Sequence, residues 1–212
     1  MRSPIAKLAS IVSLCLLAGL LACRGKETAP APAAEAAEPE VASEATPPPE
    51  EPLAPLANPP GAISATQAFT RCQSRQGGYS LEVPAAWTCT ENLTSLRALG
   101  GPDGALVVLQ DAAGPPNAKQ ARRRYARILV QRGLAVRIEG IDRVSLPNGP
   151  AMVIHYTSNS GLDPETHQQF RRGNETYLFY KGGRVAALNL WAPQGADTKE
   201  AWARMAKSFR WS

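Results

Sequence analysis

From Glu27 to Pro60 the chain is built almost wholly of Ala, Pro and Glu, as in Ala29-Pro30-Ala31-Pro32-Ala33-Ala34 and Pro47-Pro48-Pro49-Glu50-Glu51-Pro52. The run holds no aromatic residue and little to bury, so it cannot offset the entropy of ordering. It reads as a tether without fixed structure, its prolines favouring extended polyproline II at about 3.1 Å per residue. Any core is therefore confined to Gly61–Ser212, 152 residues, enough for one domain. Charge divides at the same place. Arg24 to Pro60 carries two basic and seven acidic residues, whereas Gly61–Ser212 carries 19 basic and 11 acidic, a net +8 that the whole-chain +5 conceals. A basic domain suits anionic headgroups, lipopolysaccharide phosphates, nucleic acid or an acidic protein surface.

The N-terminus says where such a domain works. Arg2 and Lys7 precede an apolar stretch with Ile11, Val12, Leu14, Leu16, Leu17, Leu20 and Leu21, and Ala22 is the small residue that a signal peptidase accepts. A membrane-crossing helix needs about 20 apolar residues, and Lys7 and Ser10 on one side with Arg24 and Lys26 on the other leave this run short. Leu20-Leu21-Ala22-Cys23 resembles the bacterial lipobox. The resemblance implies a signal peptide at 1–22, diacylglyceryl transfer to the Cys23 thiol, cleavage before Cys23 and, usually, N-acylation of the new terminus. More than one acyl chain makes a stable anchor, at about 0.8 kcal/mol per buried methylene. The alternative is an ordinary secretory signal, which would leave Cys23 as a free thiol. Arg24 rather than Asp follows Cys23, which by the enterobacterial sorting rule favours the outer over the inner membrane. The division expected is 1–22 signal, 23–60 lipidated tether and 61–212 domain. Export argues against a nucleic-acid partner.

Cysteine use fits an exported chain. With Cys15 removed and Cys23 lipidated, Cys72 and Cys89 remain in a compartment that permits disulfides. Their pairing is favoured over two buried thiols, and no Cys-x-x-Cys suggests a metal or redox pair.

Elements are legible in part. Tyr79, Leu81 and Val83 alternate with Ser80 and Glu82, predicting a strand that Pro84 ends. Leu93–Leu99 and Ala105–Gln110 flank Gly100-Gly101-Pro102-Asp103-Gly104, a hairpin signal. Ala118–Arg132 predicts a helix with Ala121, Tyr125, Ile128 and Leu129 on its apolar face, begun after Pro115-Pro116-Asn117 and stopped by Gly133. Val136 and Ile138, then Val144 and Leu146, lead to Asn148-Gly149, with Met152, Ile154 and Tyr156 alternating beyond. A long loop is expected from Thr157 to about Gln168, then strands Thr176–Lys181 and Arg184–Ala192 around Gly182-Gly183. Asp197 and Glu200 suggest a capping box for a last helix that aligns Trp202, Met205, Ala206 and Phe209. The sum is an α+β domain, an antiparallel sheet flanked by helices.

Two patches within that order carry a family resemblance. Gly78-Tyr79-Ser80-Leu81-Glu82-Val83-Pro84-Ala85-Ala86-Trp87 resembles the start of PsbP-like domains, and the Gly-Gly hairpin, Val185–Ala192 and a helix ending Ser208-Phe209-Arg210 resemble their end. The resemblance implies the PsbP-like fold over about Gly77–Trp211. It implies no activity, because that fold serves several unrelated roles.

Candidate chemistry is sparse. There is no Gly-x-Ser-x-Gly elbow, His-Glu-x-x-His helix or phosphate-cradling Gly loop, so no catalytic residue, cofactor or metal is assigned. His155 reads as a structural or surface residue of its strand. Asp163, Glu165 and His167 are three potential metal ligands in one loop, better explained as solvated polar residues. The strongest pattern is a basic stripe. At 100° per residue Lys119, Arg122, Arg123 and Arg127 share the polar side of the helix, opposite Ala121, Tyr125 and Ile128. Arg171 and Arg172 are candidates to extend it. The reading is a non-enzymatic, lipid-anchored binding or assembly module that offers this face to an acidic protein or anionic lipid. The alternative is a solute-binding or chaperone-like lipoprotein holding a small apolar ligand among Tyr156, Tyr177, Phe179 and Trp191, though a plain solvated helix face and aromatic core packing account for the same residues. Oligomeric state is not encoded in any motif.

Overall fold

The computed structural model describes residues 50–60, 63–64, 66–164 and 166–212. The expected signal peptide, Cys23 and most of the tether lie outside the described residues. Two antiparallel sheets carry the fold. The smaller has the order β1-β2-β10, with β1 Phe69–Ser74, β2 Tyr79–Pro84 and β10 Arg210–Trp211. The larger is ordered β3-β4-β5-β9-β8-β7-β6. Its strands are β3 Thr88–Asn92, β4 Ser95–Gly100, β5 Asp103–Asp111, β6 Leu134–Leu146, β7 Gly149–Asn159, β8 Arg171–Lys181 and β9 Arg184–Pro193.

The central strands β7, β8 and β9 are buried on both faces, and the two-residue period sorts their side chains between them. Ala151, Val153, Tyr177, Phe179, Leu188 and Leu190 pack with Tyr79, Leu81 and Val83 of the small sheet and with the C-terminal helix, Lys199–Ser208. Met152, Ile154, Tyr156, Leu178, Val185 and Ala187 pack on the other face with Ala121, Tyr125 and Ala126 of the helical segment Ala118–Arg132. The central β9 contributes to both cores, which is why residues 185–193 are apolar at every position except Asn189.

Trp202, Met205 and Ala206 turn inward as the helical spacing predicts, and Phe209 follows them, its ring 4.2 Å from that of Phe179. The start of this helix differs from expectation. Thr198 is the N-cap, without a side-chain cap bond. Asp197 instead accepts a hydrogen bond at its carbonyl from Ile63 N–H, 3.0 Å away.

Turns follow their glycines. Gly182 and Gly183 (φ 55° and 81°) join β8 to β9 in a two-residue turn, the pattern a tight hairpin requires. Gly101 (φ 67°) does the same with Pro102 between β4 and β5. Between β6 and β7 the turn is centred on Pro147-Asn148, one residue earlier than the Asn-Gly pair suggested, because Gly149 already pairs with Leu146. Asn148 then donates from Nδ2 to the carbonyls of Lys207 and Phe209, tying this hairpin to the end of the chain.

Cys72 of β1 and Cys89 of β3, 17 positions apart in sequence, form a disulfide with Cα atoms 6.3 Å apart. It joins the small sheet to the edge strand of the large one. Cys72 lies on a strand, Phe69–Ser74, that the sequence pattern did not predict. Replacing both cysteines by serine should lower stability by about 3 kcal/mol, from the entropy regained by the unfolded chain. Urea denaturation of the oxidised protein and the double variant would measure it.

The domain begins before Gly61. Glu50–Leu53, within the expected tether, is hydrogen-bonded to the end of β7. Asn159 Oδ1 accepts from Leu53 N–H at 3.0 Å, and its Nδ2 donates to Glu50 Oε1 and to the Glu51 carbonyl, each at 2.9 Å.

Candidate binding helix and cleft

The helical segment that carries the basic stripe is defined at both ends. Asn117 Oδ1 accepts from Gln120 N–H (2.9 Å), and Gln120 Oε1 accepts from Asn117 N–H (3.0 Å), a reciprocal capping box. Gly133 closes it, donating to the Leu129 carbonyl at 2.8 Å. Between them Ala118–Gln120 is α-helical, Ala121–Ala126 is a π turn and Arg127–Arg132 is again α-helical. Ala121, Tyr125 and Ala126 are buried along this segment, and the i→i+5 turn brings Ala126 in line with Ala121. Ile128 and Leu129 follow, half-buried.

Lys119, Arg122, Arg123 and Arg127 are all exposed, and among the described residues no carboxylate lies within 4.0 Å of any of them. Arg124 is also exposed but folds back. It donates to the Asp111 carbonyl at 3.1 Å and lies 5.5 Å from the Tyr125 ring.

Arg171 and Arg172 do not extend the stripe. Arg171 is 3% exposed and ties three strands together. Its Nη1 donates to the Ala135 carbonyl (2.7 Å) and Asn159 Oδ1 (3.0 Å), and its Nη2 to Thr157 Oγ1. Ala135 sits in a bulge of β6 at φ 46°, which turns its carbonyl to this guanidinium. Arg172, next in sequence and on the opposite face of β8, points beneath the helix instead.

There it lines a cleft of about 530 Å³ between the helix and the sheet. Leu106 and Val108 of β5, Val136 of β6, Trp191 of β9 and Ile128 and Leu129 of the helix form its apolar walls. Polar groups gather where β7, β8 and β9 meet. Asn174 Nδ2 donates to Ser158 Oγ (3.1 Å) and Thr176 Oγ1 pairs with Asn189 Oδ1 (2.7 Å). The Arg172 guanidinium lies 5.2 Å from the Phe170 ring and 5.8 Å from the Trp191 ring, and its Nε is buried with no acceptor among the described residues. Burial lowers its pKa below the usual arginine value, with nearby Tyr156 and Asp103 acting the other way. Asp103 is itself buried, and desolvation pushes its carboxyl up to about 7 despite the charge of Arg172. Of the aromatic residues expected around a ligand, Tyr156 and Trp191 line this cleft. Tyr177 and Phe179 do not, because the strand period sends them to the opposite core, where they stack 6.2 Å apart.

No family model and no curated protein matches the chain. Among solved structures it is similar to the cyanobacterial PsbP protein (CyanoP) of Synechocystis sp. PCC 6803, at 11% identity and a TM-score of 0.53, over 72% of this chain and 98% of that one. The fold is PsbP-like. Saccharomyces cerevisiae Mog1p, a Ran-binding protein, aligns over 68% of this chain and 96% of its own, at 10% identity and a TM-score of 0.47. At 11% identity the likeness to the cyanobacterial protein is one of fold alone.

Neither histidine of the PsbP-like domain lines the cleft. His155 is half-exposed on the other face of the sheet, its Nδ1 3.2 Å from Glu175 Oε1 and its Nε2 3.6 Å from Asp142 Oδ2. Glu175 in turn accepts from the Tyr177 hydroxyl at 2.6 Å. His167 is exposed at φ 54°, and Asp163 Oδ1 is engaged by Thr166 N–H and Oγ1–H in closing the loop. Glu165 lies outside the described residues. Among the described residues no group of three metal-binding side chains converges.

Proposed function

We propose that this protein is a non-enzymatic binding module of the bacterial envelope, held through lipid on Cys23 and docking an acidic protein surface or anionic lipid through its basic helix. The observation that carries this reading is the row Lys119, Arg122, Arg123 and Arg127, exposed and without a carboxylate partner among the described residues, on a helix whose other side is packed on the sheet. Four cations on one rigid face attract an anionic surface by about 1 kcal/mol each when close to it, and salt screens that attraction. The PsbP-like fold is compatible with a binding role and prescribes no reaction.

The test is capture of partners from envelope extracts by the full-length lipidated protein, at low and moderate salt, beside the variant Arg122→Glu/Arg123→Glu/Arg127→Glu. A partner or anionic vesicle retained at low salt should be lost by more than 100-fold in the variant, with the melting temperature unchanged. Equal retention by the two proteins would refute helix docking. A second reading, a carrier of a small ligand, is favoured by the cleft under the same helix, whose volume lies in the range of small-molecule sites.

A further inference from the structure

We infer that the cleft accepts an amphipathic carboxylate, its charged end at Arg172 and its apolar chain between the helix and the sheet. This deepens the ligand-carrying reading and is independent of docking by the outer face of the helix.

The lining is chemically lopsided. Its walls are aliphatic and indole surface, yet it includes three arginines, Arg97, Arg132 and Arg172, and no Asp or Glu among the described residues. Arg97 and Arg132 are exposed, whereas Arg172 is deeper and its position is fixed by the rings of Phe170 and Trp191. The other polar groups at that end already have partners. Asn174 donates to Ser158 and to the Tyr156 and Arg172 carbonyls, and Asn189 donates to the Leu106 carbonyl while pairing with Thr176. Among the described residues that line the cleft, Arg172 Nε is the one buried side-chain nitrogen without an acceptor. A charge flanked by aromatic and aliphatic surface is weakly screened, so an anion placed there is held more strongly than in water.

The same geometry selects the kind of anion. One recessed guanidinium, with Asp103 close enough to influence it, matches a single negative charge better than the nearly double charge of a phosphate monoester at neutral pH. The planar fork of a guanidinium matches a carboxylate. Beyond Arg172 the apolar walls can shield an alkyl chain, each methylene removed from water adding to affinity.

The test uses decanoate, decanol and decylammonium as probes on the full-length protein, followed by calorimetry and by tryptophan fluorescence. Decanoate should bind saturably at one site, with decanol and decylammonium at least 10-fold weaker. Arg172→Gln should weaken decanoate by about 10- to 100-fold, and Val108→Trp, which fills the cleft from its floor, should abolish binding. The Arg122→Glu/Arg123→Glu/Arg127→Glu variant should bind decanoate as the parent does. If decanol and decanoate bind alike, the assignment of an anion fails while the carrier reading stands. If neither binds saturably, both fail. The comparison of the three probes needs no variant, so it holds whatever the substitutions do to folding.

Discussion

Replacing Arg171 with methionine should lower the stability of the domain by about 3–5 kcal/mol, although the side chain lengths are similar and the site is buried. From the start of β8 the Arg171 side chain reaches both the bulge of β6 and the end of β7, through Ala135, Asn159 and Thr157. Hydrogen bonds to a charged donor contribute about 1.5–3 kcal/mol each, and methionine would leave three buried oxygens with reduced satisfaction. Arg171→Lys should recover only part of the loss, because one ammonium cannot span acceptors that two guanidinium nitrogens reach. Urea denaturation, supported by hydrogen exchange at the ends of β6 and β7, would measure both variants. A loss below about 1 kcal/mol for the methionine variant would show that these oxygens find other partners.

Asp103→Asn should act in the opposite direction and depend on pH. Folded Asp103 keeps its proton up to about pH 7, against 3.8 for the ordinary carboxyl, because burial disfavours its charge. Near pH 3 both folded and unfolded states hold the proton, and the group contributes no difference. As the pH rises from about 4 to 7 only the unfolded state releases it, so stability falls across that window and is level above it. At 1.36 kcal/mol per pH unit the full loss is at most about 4 kcal/mol. Asparagine removes the titration, and its buried amide has a desolvation cost of its own. The variant should therefore exceed the parent by about 2–4 kcal/mol at pH 8, and the gap should narrow by about 2 kcal/mol at pH 5. A gap that does not change between those pH values, measured by urea denaturation, would mean that Asp103 ionises normally in the folded protein.

Strands with one clear apolar face were legible in the sequence, and so were both helices. Tyr79, Leu81 and Val83 are buried as their alternation predicts, as are Trp202, Met205, Ala206 and Phe209 at helical spacing. Strands held by backbone pairing rather than by apolar alternation were not legible. β3, Thr88–Asn92, is exposed at every position, and β10 has two residues. The start of β8 was hidden for another reason. Arg171-Arg172-Gly173-Asn174 looks like a polar loop, and its strand character rests on hydrogen bonds that bury Arg171 and Asn174 from partners distant in sequence. That also explains the cleft. Helical periodicity exposed the outward cations correctly, but nothing local distinguishes Arg172, which lines the cleft, from Arg171, which braces β6 and β7. The period of two assigns them to opposite faces only once the strand is known to reach so far. Tyr177 and Phe179 were grouped with Tyr156 and Trp191 as aromatic residues, when parity along β8 and β9 separates them.

Asn159 is also a point of mechanical load transfer. It grips Glu50, Glu51 and Leu53 with one amide while its oxygen accepts from Arg171, and it is part of the cleft lining. Tension along the N-terminal segment thus enters the fold at this amide and is passed by Arg171 into β6. The anchor of the N-terminal segment and the brace of β6 share one acceptor oxygen, which accepts one hydrogen bond from Leu53 N–H and another from Arg171.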